Sequence, residues 1–259
     1  MTLALLSALP EEQAGLSDLL SQPVQVMHAG RRFVMGQVGN QAVVLALSGI
    51  GKVAAATTAT ALIERFGAQR IVFTGVAGGL GAKVQVGDVV LGTHYVQHDM
   101  DASPLFPRFE VPLYGAAHFL ASTDLVATLS LAAQAHLDRL SGLCGATSPD
   151  PVRRLALHCG LIASGDRFVS SAREAQALCA ALPDALCVEM EGAAVAQVCH
   201  DYAIPFAALR TISDRADDSA HVDFPVFVRE VAGPYARGIL SLWLQAQSQS
   251  QSQAIATHA

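Results

Sequence analysis

The sequence is short of the residues that most often give a function away. Cysteine occurs five times, at Cys144, Cys159, Cys179, Cys187 and Cys199, an odd number at irregular spacing with no CxxC pair. That excludes a disulfide framework or a zinc site and leaves Cys187 and Cys199 as small buried hydrophobes. No histidine-rich ligand set occurs, so neither a metal nor another cofactor is expected. Basic residues number 16 against 22 acidic ones, and they never cluster. A net charge of −6 makes a nucleic-acid backbone or an anionic membrane surface an unsuitable partner. Long apolar runs are missing as well, because Gly, Ser or a charge interrupts each well before the ~20 residues of a membrane helix. The opening MTLALLSALPEE has no basic n-region and reads as a first strand, which predicts a cytoplasmic protein.

What is present is a core. With 52% hydrophobic and 15% charged residues, the 259-residue chain has ample apolar side chains for a large buried interior. Apolar runs alternate with helical patterns almost from end to end. Strands are expected at 3–8, in a meander over 24–47 with Gly39-Asn40 as its hairpin turn, within 70–81 as a strand running into a glycine-rich loop, and at 86–96, 155–166, 185–190 and 205–214. Helices are expected at 11–20, 48–67, 122–140, 170–182, 191–202 and 223–246. Residues 102–118 carry Pro104, Pro107 and Pro112 and predict an irregular excursion, and 141–153 a polar loop. The pattern implies a single three-layer α/β/α domain with a mixed central sheet over 1–246. The low-complexity tail 247–259 is expected to be disordered.

In such folds ligands gather beyond the carboxyl ends of strands. Those ends deliver Glu11 and Glu12, the run GVAGG at 75–79, then Ser164, Asp166 and Phe168, then Glu189 and Glu191, and finally Arg210, Ser213 and Asp214. Each has an ordinary reading. Acids there serve as helix caps, GVAGG is a tight turn that lacks both GxGxxG and a P-loop lysine, and Phe168 is core. Their coincidence at one sheet edge points elsewhere, since gathered and buried carboxylates drive at least one pKa up. One protonated acid beside one ionised base suits the cleavage of a glycosidic bond.

The segments SALPEEQAGL, SGIGKVAAA, TGVAGGL, VGDVV, SGDRF, VEMEGAAVAQVC and RTISDRAD resemble the 5′-methylthioadenosine/S-adenosylhomocysteine nucleosidases, within the nucleoside phosphorylase superfamily, from about Leu3 to Leu244. The resemblance implies a nucleoside phosphorylase-like fold and an adenine nucleoside as small-molecule substrate. It implies that Asp214 protonates adenine N7, that Ser213 orients that carboxyl, that Glu12 activates water and that Glu191 grips the ribose 2′-hydroxyl. Arg210 would order the water and acid network, Phe168 would stack on adenine, and the Val169 backbone would read the base edge. Ile50, Met190 and Phe224 would line the ribose and alkylthio pocket, and Gly78 would allow close backbone approach. Glu189 is expected to face away as a structural acid. Val76 stands where many members carry serine. The resemblance also implies a homodimer whose interface includes residues around 104–113, with Leu105, Phe106 or Pro112 reaching the partner's pocket. Two rival readings are a purine nucleoside phosphorylase and a non-catalytic nucleoside-binding or storage protein. The acidic loop LPEEQ would repel the phosphate of the former, and joint retention of Glu12, Glu191 and Asp214 argues against the latter.

Overall fold

The computed structural model describes residues 1–145, 154–216 and 224–257. Ten strands share one mixed sheet: β1 (Thr2–Ser7), β2 (Ser21–His28), β3 (Arg31–Val38), β4 (Gln41–Leu47), β5 (Ala68–Gly79), β6 (Val89–Gln97), β7 (His118–Leu120), β8 (Leu157–Ser164), β9 (Ala185–Glu189) and β10 (Phe206–Asp214). The helices are α1 (Lys52–Glu64), α2 (Thr123–Gly145), α3 (Ala172–Ala181), α4 (Gly192–Asp201), α5 (Phe224–Phe227) and α6 (Gly233–Thr257), with a π turn over Val228–Ala232 joining the last two. One core cluster packs α1 and α4 against the sheet through Ala55, Ala59, Leu62, Ala193, Val195 and Cys199. The other packs α2 and α6 on the opposite face through Leu125, Leu129, Leu137, Ile239 and Trp243. The expected three layers are therefore present. Cys187 and Cys199 are both buried, as small hydrophobes should be.

The strand order is β10-β6-β8-β9-β5-β1-β4-β3-β2, and β5 also pairs with β10, so five of the strands close into a ring. Within it β5 and β10 run parallel, while β5 and β9 run antiparallel at Gly78↔Val188 and Gly79↔Cys187. These are the carboxyl ends of both strands. The antiparallel seam thus brings two sets of strand ends face to face, and Glu189–Glu191 against Gly75–Gly79.

Two local expectations are corrected. The helix expected over 11–20 is a series of tight turns ending in a single 3-10 turn at Ser17–Leu19. Its cause is local: the Glu12 carboxylate accepts the backbone N–H groups of Ala8 and Leu9, and Gly15 sits at φ +75°, a conformation that interrupts a helix. The GVAGG run is no turn, because β5 continues through it in register with β10 to Gly78. α6 runs through the low-complexity segment as far as Thr257; Gln and Ala are good helix formers, and no Gly or Pro follows Gly238. The loop expected at 141–153 lies mostly outside the described residues.

Candidate active site

Six strand ends open onto one cavity. The segment after β1 supplies Ala8, Leu9 and Glu12; the turn after β4 supplies Ile50; β5 supplies Val76, Ala77 and Gly78. From the other side come Arg167, Phe168 and Val169 after β8, Val188 to Glu191 at the end of β9, and Ser213 and Asp214 at the end of β10. Of the residues singled out from sequence, Glu12, Ile50, Gly78, Phe168, Val169, Met190, Glu191, Ser213 and Asp214 all line this one space.

Glu12 is buried although its neighbour Glu11 is exposed. Its Oε2 accepts from Ala8 N and Leu9 N, each at 2.8 Å, and its Oε1 accepts from Val76 N at 3.1 Å. A carboxylate offers about four acceptor positions, so one remains for a group in the cavity. Burial pushes the Glu12 pKa above the ordinary carboxylate value, against the opposing pull of the Leu9, Val76 and Ala8 N–H groups and of Arg210. A Glu held this way is a base of raised strength.

Glu191 sits just before the first residue of α4 and accepts the Gly51 N–H on Oε1 at 2.8 Å. Burial first, and then the negative charge of Glu189, raise its pKa to about 8. It therefore keeps a proton at neutral pH, and positive charge developing beside it favours the carboxylate. Asp214 accepts Ser213 O–H on Oδ2 at 2.6 Å and Ala216 N–H on Oδ1 at 2.7 Å, which fixes the plane of its carboxyl.

The glycines of β5 make room for these acids. A Cβ built on Gly75 would lie 2.8 Å from Glu12 Oε1, and one on Gly78 would lie 3.0 Å from Asp214 Oδ1. The first is closer than side chains are found and the second is tight, so the run that looks like a turn is a strand stripped of side chains where carboxylates approach.

Two expected residues behave differently. Arg210 does not line the cavity: it is buried over the Phe73 ring, and its Nη2 and Nε donate to Glu189 Oε2 at 2.6 and 3.2 Å. It acts on the cavity only through its charge and its hold on Glu189. Glu189, expected to face away, reaches the cavity wall, yet its oxygens are occupied by Arg210, by Ser164 O–H and by the N–H groups of Glu191 and Gly192. It is a structural acid holding the start of α4. Phe224 opens α5, but its side chain lies outside the described residues. Ala8, Leu9, Ala77, Arg167 and Val188 were not foreseen. They adjoin residues that were, and in SGDRF Arg167 stands directly before Phe168.

The phosphorylase superfamily model matches residues 2–243. The 5′-methylthioadenosine/S-adenosylhomocysteine nucleosidase of Anoxybacillus flavithermus is 34% identical over 233 residues, 90% of this chain and 93% of that protein. The crystal structure of the same-named enzyme from Neisseria meningitidis, in complex with methylthio-immucillin-A, superposes with a TM-score of 0.84 at 32% identity, covering 95% of this chain and 99% of that one. The futalosine hydrolase of Helicobacter pylori is also similar, with a TM-score of 0.81 at 30% identity over 95% of this chain and 98% of that one. The chain belongs to the 5′-methylthioadenosine/S-adenosylhomocysteine nucleosidase family of the phosphorylase superfamily.

Proposed function

We propose that this chain hydrolyses the N-ribosyl bond of 5′-methylthioadenosine, S-adenosylhomocysteine or a close adenine nucleoside, releasing adenine. The observation that carries the reading is that Glu12, Glu191 and Asp214, far apart in sequence, line one cavity together with the aromatic face of Phe168. Phe168 stacks on the base, and Asp214, its plane set by Ser213, delivers a proton to adenine N7, so that the base leaves neutral. Glu12 takes a proton from water as its oxygen bonds to the anomeric carbon, and the bond from that carbon to the base breaks. Atoms and charge balance: water supplies the sugar hydroxyl, and the proton lost to Glu12 equals the one given by Asp214. Glu191 holds the ribose hydroxyl and favours the positive sugar of the transition state. Direct attack by water inverts the anomeric centre.

The phosphorylase alternative needs a cation for phosphate. Among the described residues the only cation lining the cavity is Arg167, and it is ion-paired with Glu174. The 5′-substituent is the open variable, because futalosine hydrolase shares the architecture. Ile50 and Met190 give that end an apolar wall, which favours a thioether over a polar chain. Comparing kcat/KM for methylthioadenosine, adenosylhomocysteine, 5′-deoxyadenosine and futalosine tests this. A preference for the thioethers is expected, and a preference for futalosine would reassign the substrate.

A cytoplasmic homodimer belongs to the same proposal. Leu105 and Leu113 are 85% and 92% exposed and Tyr114 is 39% exposed, an apolar surface within and beside 104–113 that a second copy would cover. Among the described residues no helix is long and apolar enough to cross a membrane.

A further inference from the structure

The cavity mouth is held by a polar ring that none of the roles above uses. Lys52 N–H donates to Asp166 Oδ1 at 2.7 Å, and Asp166 N–H donates to Asp99 Oδ2 at 2.9 Å. Lys52 Nζ closes the circuit on Asp99 Oδ1 at 2.6 Å and also donates to Gln97 Oε1 at 3.1 Å. Gln97 in turn receives no slack, since its Nε2 donates to Gln197 Oε1 of α4 at 2.7 Å. Three segments meet here: the start of α1, the end of β6 and the turn after β8.

The ring stands between two walls of the site without lining it. On one side Gly51, next to Lys52, gives its N–H to Glu191, and Ile50 precedes it. On the other, Phe168 follows Asp166 by two residues. Ile50 and Phe168 are 59% and 44% exposed. The two walls approach closely: Gly51 has φ +96°, and a Cβ there would lie 3.0 Å from Asp166 Oδ1. Burial works against the Asp99 charge, but Lys52 and the Asp166 N–H outweigh it and hold its pKa below the ordinary value. The Lys52 and Asp99 side chains are 16% and 31% exposed, and an ion pair so placed contributes little to stability by itself. Its consequence is geometric.

We propose that Lys52, Asp99 and Asp166 are positioning residues, a clasp that fixes the span between the Gly51–Glu191 edge and the Phe168 platform and thereby sets affinity for the nucleoside without touching it. The proposal rests on the nucleosidase reading for its substrate. It is tested with Asp99→Asn, Lys52→Met, their double variant and Lys52→Arg. With methylthioadenosine, the first two should raise KM about tenfold while kcat stays within about threefold, because placement is lost and the reacting groups are not. The double variant should be no worse than either single one, since both open the same ring. Lys52→Arg should retain most of the affinity. Amide exchange without nucleoside should quicken in peptides covering 50–53 and 165–169 in the first two variants. An unchanged KM, a fall confined to kcat, or a double variant equal to the product of the singles would overturn the clasp. If the wild type cleaves no adenine nucleoside, the nucleosidase reading fails instead. Adenine affinity and amide exchange in the same variants then decide the clasp, and no change in either overturns it.

Discussion

Buried acids around one cavity are treated in opposite ways. Glu189 is neutralised by Arg210 and surrounded by donors from Ser164, Glu191 and Gly192. Glu12 and Glu191 instead line the cavity beside Asp214, and they are held by backbone N–H groups of Ala8, Leu9, Val76 and Gly51. Burying a charge is costly unless it is paired, so the first arrangement is that of a structural strut. The second leaves Glu12 and Glu191 with raised proton affinity, the state that acid and base chemistry needs. β9 ends at Glu189 and α4 starts just after Glu191, so the two acids of VEMEG leave the strand in different settings.

The contrast breaks most visibly at Asp214. Asp214→Asn should slow adenine release by at least about a hundredfold, the usual worth of a general acid, while nucleoside binding stays measurable by titration calorimetry. Unchanged turnover would remove Asp214 from the reaction. On the structural side, Arg210→Met should cost about 3–5 kcal/mol of unfolding free energy in urea melts by leaving Glu189 buried and unpaired. Adding Glu189→Gln should recover a large part of that loss. A loss of activity in Arg210→Met with full stability would mean that the guanidinium serves the chemistry directly.

A milder test concerns the space left by glycine. Gly75→Ala places a methyl group against Glu12 Oε1 and should lower kcat about tenfold by displacing that carboxylate, with a smaller effect on melting temperature. Equal activity would show that Glu12 tolerates the shift. A further test uses pH dependence. Because the folded pKa of Glu191 is about 8, above the ordinary value of 4.5, the native state holds a proton that the unfolded chain releases between those pH values. That contribution to stability is complete below pH 4.5 and lost as pH rises towards 8. Glu191→Gln should therefore melt increasingly above the wild type from pH 5 to pH 8, and a constant difference would contradict the raised pKa.

Much of this was legible in the residues. Alternation of strands and helices announced the layers, and carboxylates after apolar runs marked the right edge of the sheet. The resemblance carried by VEMEGAA and RTISDRAD then assigned them. Apart from the helix expected at 11–20, whose cause is local, the misreadings share one cause, that a residue's local preference was overruled by a distant partner. GVAGG looked like a turn because glycine usually marks one, whereas here the absence of side chains on β5 answers to Glu12 and Asp214. The helix expected at 11–20 had helical composition, yet the Glu12 carboxylate was engaged with backbone N–H groups and could not be left to solvent. Arg210 was placed in the cavity because nothing in the sequence says that Glu189, rather than water, receives it. The closure of β5 on both β9 and β10 was equally invisible, since strand pairing partners leave no mark in a single chain's periodicity.

The most direct measurement is product analysis of methylthioadenosine turnover by the wild-type protein in phosphate-free buffer and again with phosphate added. Free adenine and methylthioribose in equal amounts, at the same rate in both buffers, are expected if three carboxylates set water against the anomeric carbon. Adenine that appears only with phosphate, accompanied by a sugar 1-phosphate, would contradict the account.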